Sequence, residues 1–213
     1  MPAIVDMKFH QYLARQLSKP AGIIGKLILG RLWNKRNAKL IEVTLSNLEL
    51  AEDDRILDIG FGGGYLLKKA IPQVSRGLVA GLDVSPVMVE NSQAQFRKYI
   101  RSGKVDIRCG QAERLPFPDA YFTKVSSVNS LFYWSDAQQG IAEIFRVLQT
   151  GGRIVLTFTE RKDLENKGFS QYGIRTFDTE EVQQMLVRAG FRDVKEKRDW
   201  DKHREFICVT GYK

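Results

Sequence analysis

The stretch Arg55-Ile-Leu-Asp-Ile-Gly-Phe-Gly-Gly-Gly-Tyr65 gathers residue types suited to holding a ligand: a carboxylate at Asp58, then glycines at 60, 62 and 64 between a β-rich run and a helical one. Glycine lets the backbone turn tightly and lets a ligand touch it, while the helix beyond offers unpaired N–H groups. The dinucleotide fingerprint GxGxxG would need a third glycine at 65, where the chain has Tyr65, and the phosphate loop GxxxxGK[ST] is absent. What is left is acidic-x-Gly-x-Gly-x-Gly, followed by a second acid, Asp83, at the end of the next β-rich run. A carboxylate there can accept two hydrogen bonds from ribose hydroxyls, with a helix-capping Asp as the alternative.

Alternating elements must position these groups. β-rich runs at Arg55–Ile59, Leu78–Asp83, Val105–Cys109, Lys124–Val128 and Arg153–Thr159 alternate with stretches of helical length at Tyr65–Ile71, Pro86–Arg101 and Ala137–Leu148. Ser85 and Asp136 stand at helix N-cap positions, Pro86 at a first helical position, and Asp178-Thr-Glu-Glu181 reads as a capping box opening a last helix that Gly190 closes. Two further runs, Asp193–Arg198 and Glu205–Thr210, predict a terminal hairpin. The expected fold is α/β: a Rossmann-like, seven-stranded, mostly parallel sheet with one antiparallel strand near an edge, helices on both faces and an N-terminal helical cap. Residues 1–50 are assigned to that cap or lid, as two or three helices, and 51–213 to the main domain.

At 213 residues, 43% hydrophobic and 27% charged, the chain is long enough for a sizeable core and is neither a disordered nor a fibrous composition. Cys109 and Cys208 lie far apart without metal-ligand spacing, so no metal site and no disulfide framework is expected; both read as core residues. The start carries no secretory pattern, which fits the cytoplasm. Ala21–Trp33 is apolar but short and interrupted by Lys26 and Arg31, so it does not span a membrane. The net charge of +8 is concentrated near the start, where residues 1–50 hold eight Lys or Arg against three Asp or Glu. Such a segment attracts anions or is simply a solvated face.

Four motifs in order resemble the class I S-adenosylmethionine (AdoMet)-dependent methyltransferases: Asp58-Ile-Gly-Phe-Gly-Gly-Gly64, Gly81-Leu-Asp-Val-Ser85, the adenine-side loop Gly110-Gln-Ala-Glu-Arg-Leu-Pro-Phe-Pro118, and Arg146-Val-Leu-Gln-Thr-Gly-Gly-Arg153. The likeness extends over residues 55–213 and is greatest to the small-molecule branch that includes the ubiquinone/menaquinone-type methyltransferases. Arg15–Pro20 with Gly22, Gly25 and Asn34-Lys-Arg-Asn37 is similar to a bacterial subgroup of that branch. The resemblance implies AdoMet as cofactor, held by Asp58, Gly60, Phe61, Gly62, Gly64, Asp83, Val84, Met88, Gln111, Ala112 and Asn129. Asp58 would hold the ammonium, Asp83 the ribose, and Val84 and Met88 the adenine face, with Gln111 and Ala112 at its edge. Two positions depart from the family: Gln111 stands where Asp is usual, its carbonyl still able to accept the adenine amino hydrogen, and Phe122-Thr-Lys-Val125 lacks the usual Asp.

The implied reaction is in-line methyl transfer to an O, N or C nucleophile of a small, even amphipathic, molecule. Positioning and water exclusion do much of this work, so no base is compulsory. His10, Tyr133 and Asn129 are the candidate catalytic residues, His10 as a base if the first helix covers the pocket, with a surface or packing role as its alternative. Trp134 reads as pocket lining or core, and His203 falls in the last turn. Ser126–Trp134 lacks [DN]PP[YFW] and the chain lacks a Pro-Cys nucleophile, which argues against nucleic-acid bases. A protein or RNA methyltransferase and a non-catalytic AdoMet-binding scaffold are the alternatives. The apolar and basic residues Ile23–Arg36 permit transient contact with a membrane surface. Nothing in the sequence indicates the oligomeric state.

Overall fold

The computed structural model describes residues 37–166, 175–202 and 204–213. His10, the apolar segment Ala21–Trp33 and His203 lie outside the described residues. Seven strands form one sheet: β1 (Arg55–Ile59), β2 (Leu78–Asp83), β3 (Val105–Cys109), β4 (Phe122–Val128), β5 (Leu148–Phe158), β6 (Arg192–Trp200) and β7 (Glu205–Tyr212), in the order β3-β2-β1-β4-β5-β7-β6. All pairings are parallel except those of β7, which runs antiparallel to both β5 and β6. The expected hairpin is present, and its second strand is the inner one: apolar β7 slots beside β5 and leaves the charged β6 as the edge.

The helices are α1 (Ala38–Leu48), α2 (Tyr65–Ala70), α3 (Pro86–Gln95), α4 (Arg97–Arg101), α5 (Ala137–Val147), α6 (Arg161–Asn166) and α7 (Thr179–Ala189). Because successive strand residues point to opposite faces, each strand feeds two cores. Leu57, Ala80, Val125, Ile154 and Leu156 pack under α5 and α7, whereas Ile56, Val79, Val105, Val155 and Phe206 pack under α1, α2 and α3. Helix α1 covers β4, β5 and β7, and its buried Thr44 hydroxyl meets that of Thr157 at 2.7 Å.

Several boundaries differ from expectation. The helix expected over Pro86–Arg101 breaks at Phe96, whose ring is buried against Gly64, and α4 follows as a separate short helix. β5 begins at Leu148 rather than Arg153, because Leu148 pairs with Phe122, two residues ahead of the expected start of β4. Helix α6 follows β5 directly, in a stretch where the sequence predicts no element. Asp136 caps α5 by accepting from Gln139 N–H at 3.0 Å, but the Ser85 hydroxyl makes no cap at α3. The Asp178 N–H donates to Glu181 at 2.9 Å, completing the capping box of α7. Cys208 is buried as expected; Cys109, expected in the core, is exposed at the carboxyl end of edge strand β3.

Candidate functional site

The carboxyl ends of β1, β2 and β4 meet at the glycine loop. Gly60 donates its N–H to Leu82 O at 2.7 Å and takes φ +72°, a left-handed conformation that favours glycine. A Cβ at Gly60 would fall 2.3 Å from Ser130 Cβ, so this glycine is demanded by packing inside the protein. Gly62 differs: at φ +52° its Cβ position meets nothing within 4 Å among the described residues, leaving that side of the backbone clear of them. Of the first-motif residues, then, Gly62 alone has both the conformation and the clearance for close approach of a ligand. Phe61 is buried in the core under α2 and α3.

Asp83 ties this loop to β2. Its Oδ2 accepts the Gly62 N–H and its Oδ1 the Ser85 N–H, each at 2.9 Å. Every carboxylate oxygen has a second lone pair, so the group can still accept two hydroxyls. Burial raises its pKa, against the pull of those backbone bonds. Asp58 is 3% exposed, and its partner is the fully buried Ser126 on the register-matched position of β4, whose hydroxyl donates at 2.8 Å. Burial pushes the Asp58 carboxyl up to about 7, the nearby Asp83 charge adding to the effect. Such a carboxyl gains most from a cation brought beside it.

The loop after β3 follows directly, because Gly110 N–H donates to Asp83 O at 3.1 Å. Val84 is an exposed apolar side chain beside it, and Gln111 is exposed, while Met88 and Ala112 are buried in the two cores. Their packing sets the shape beneath the loop, and Val84 and Gln111 are left as the residues with surface to offer. Two clamps hold the loop to α5. Glu113 Oε1 accepts from the Ser135 hydroxyl at 2.8 Å and Asp136 N–H at 3.1 Å. Arg146 donates to the carbonyls of Leu115 and Phe117 and pairs with Glu143 and Asp119, while Glu143 also accepts the Leu115 N–H. Sequence reasoning missed this Arg146–Glu143 clamp; its one local signal is their i, i+3 spacing on a helix.

Beyond β4 the chain turns through a short helical turn at Leu131–Tyr133. Asn129 takes φ +50°, and its amide is engaged: Oδ1 accepts from Thr159 N–H at 2.9 Å and Nδ2 donates to Asn37 Oδ1 at 3.2 Å. It therefore bridges the ends of β4 and β5 to the start of α1. Trp134 is core, its indole N–H donating to Ser130 Oγ and its ring lying where a Gly140 Cβ would come within 2.7 Å. Tyr133 is half-buried, and burial pushes its phenol up to about 12, which keeps the hydroxyl neutral. Thr123, at the position where Asp was expected, donates to Asp54 at 2.6 Å and accepts from Arg55 N–H at 3.0 Å. The acid is thus supplied from the turn before β1.

These features fit AdoMet on three independent grounds: open backbone at Gly62, a carboxylate at Asp83 with acceptor capacity to spare, and a buried carboxyl at Asp58 that a cation would relieve. A model of the "Methyltransferase domain" family matches residues 57–156. The chain is similar to the uncharacterized methyltransferase YdaC of Bacillus subtilis (strain 168), with 27% identity over 88% of this chain and 98% of that one. It is similar as well to YrhH of the same organism, named as a methyltransferase, with 31% identity over 62% of this chain and 73% of that one. To 2-methyl-6-phytyl-1,4-hydroquinone methyltransferase 1 of Oryza sativa subsp. japonica it shows 32% identity over 68% of this chain, spanning 43% of that longer relative. Among solved structures, a SAM-dependent methyltransferase from Aquifex aeolicus superposes with a TM-score of 0.66, at 19% identity, over 83% of this chain and 96% of that one.

Proposed function

The chain belongs to the class I S-adenosylmethionine-dependent methyltransferases, and from that premise we propose that it methylates an O, N or C nucleophile of a small, amphipathic molecule. The observation that carries the cofactor half is the Gly62 backbone beside the Asp83 carboxylate, on a side that no described residue fills. In this reading Asp83 accepts from the ribose hydroxyls, Asp58 faces the ammonium, and the backbone at 60–64 lies against the methionine portion. Val84 packs on adenine and the Gln111 carbonyl accepts its amino hydrogen; Phe61, Met88 and Ala112 support them from the core.

The cofactor supplies a methyl group already activated on a sulfonium. The chain's own part is to hold the acceptor in line and keep water out, which can account for several kcal/mol of barrier. Tyr133, a neutral phenol, orients the acceptor by donating a hydrogen bond. Asn129 acts by fixing the strand ends that frame the acceptor side. His10 is the candidate base for acceptors that must lose a proton.

The small-molecule assignment is supported by the hydroquinone methyltransferase among the relatives and by the lack of the tetrapeptide that grips a planar amide or base nitrogen. In this reading acceptor choice would fall to residues 2–40 and to the connection 161–177. Incubation with methyl-labelled AdoMet and an extract of the source cells, followed by fractionation, tests it. Label in small molecules or lipids is the expected outcome. Label confined to RNA or protein, or cofactor binding without any label transfer, would overturn it.

A further inference from the structure

Ser130 stands between Asn129, at φ +50°, and the Leu131–Tyr133 turn, and it is buried. Its hydroxyl donates to the Ile59 carbonyl, the last of β1, at 3.0 Å. A hydroxyl has one hydrogen and two lone pairs, so with that hydrogen engaged Ser130 Oγ must accept from its other two neighbours. These are the Trp134 indole N–H at 3.2 Å and the Ser127 hydroxyl at 2.6 Å, and they complete the capacity of the oxygen. The Ser130 carbonyl in turn accepts the Tyr133 N–H at 3.0 Å. The Ile59–Gly60 peptide is thereby held from two directions. Its carbonyl meets Ser130, and its N–H, on Gly60, donates to Leu82 O of β2 at 2.7 Å. Ser130 Cβ also fills the place beside Gly60 where a side chain would otherwise stand. Such a peptide turns only by breaking one of those bonds, and it sets the direction in which residues 60–64 leave the sheet.

We propose that Ser130 is a positioning residue for AdoMet: its hydroxyl fixes the peptide that opens the glycine loop and couples that loop to the turn carrying Tyr133 and Trp134. Its oxygen has no hydrogen or lone pair left for a ligand, so it acts through the Gly60 backbone. A loop already held in its binding conformation loses less freedom when the cofactor arrives, and affinity rises by that difference. The same oxygen serves the indole of Trp134, a core residue, so a small movement of the Ile59–Gly60 peptide on binding alters the hydrogen bond offered to that ring. The inference rests on the reading of the 60–64 loop as the seat of the cofactor.

The test is calorimetric titration of the full chain with AdoMet for the wild type, Ser130→Ala and Ser127→Ala, with thermal unfolding of each. Ser130→Ala keeps the Cβ packed on Gly60 but removes the donor to Ile59, and it should bind about tenfold more weakly, about 1.4 kcal/mol. Ser127→Ala also removes a buried hydroxyl but leaves the Ser130–Ile59 bond, and it should stay within about threefold of the wild type. Ser130→Cys, whose thiol is a weaker donor, should fall between the two, and it carries the comparison if the alanine variant does not unfold cooperatively. The second readout is the Trp134 indole N–H resonance in a nitrogen–proton correlation spectrum: it should shift on addition of AdoMet to the wild type and lose that response in Ser130→Ala. A hydroxyl with a structural role alone would lower the unfolding midpoint and move neither readout. Equal loss of affinity in Ser130→Ala and Ser127→Ala, no loss in Ser130→Ala, or an indole response that survives in Ser130→Ala would overturn the proposal while leaving the cofactor reading intact. No AdoMet binding by the wild type would overturn the cofactor reading and the proposal with it.

Discussion

Asp58 is the residue whose state the cofactor should change most. Its carboxyl is raised from 3.8 to about 7 by burial, so the folded chain holds a proton there that the unfolded chain has lost. A folded pKa above the unfolded one makes this group's contribution to stability fall as pH rises between those two values. Cofactor binding should run the other way, because an ammonium beside Asp58 requires the carboxylate. AdoMet affinity is expected to weaken by up to about tenfold per pH unit as pH drops below about 7, each unit being about 1.4 kcal/mol. Ser126→Ala removes the hydroxyl that steadies the charge and should move the midpoint upward, while Ser126→Thr should restore it; calorimetric titration across pH 5–8 reads both, and a flat profile would contradict the assignment. At this scale the sequence was informative where the chemistry is local. Asp58, Gly62 and Asp83 could be read from one loop and one strand end. The burial of Trp134, Met88 and Ala112, and the engagement of Asn129 by Thr159 and Asn37, depend on segments far away in the chain.

Elements decide how rigidly the adenine-side loop is presented. Residues 110–118 contain no helix or strand, and their order comes from Glu113 at one end of α5 and from Arg146 with Glu143 near the other. Arg146→Met keeps the stem of the side chain but removes the donors to two loop carbonyls. The expected cost is about 2 kcal/mol of unfolding free energy, with faster amide exchange confined first to 110–118 and several-fold weaker AdoMet binding. Unchanged exchange in that loop would show that the clamp does not order it. The strands β1, β2 and β3 fall where alternation and apolar runs place them, since each is read from its own residues. The break at Phe96 and the early start of β5 were illegible for the opposite reason: the first depends on the Gly64 surface, the second on Phe122 pairing across strands.

For the whole molecule, the alternation of strand-like and helical runs with a closing hairpin already implied the sheet and its reversed strand; what it left open was the inner position of β7. Fold and cofactor site are one construction: parallel strands bring Asp58, Asp83 and the 60–64 loop to one end of the sheet, where ligands of open α/β folds bind. The most direct measurement of that claim is the dissociation constant of AdoMet for the wild type and for Asp83→Ala, with thermal unfolding as the check on folding. Loss of a charged acceptor to two hydroxyls should weaken binding at least tenfold, and up to about a hundredfold, in a variant that still unfolds cooperatively. A folded Asp83→Ala protein that binds AdoMet within about threefold of the wild type, roughly 0.7 kcal/mol, would contradict the account.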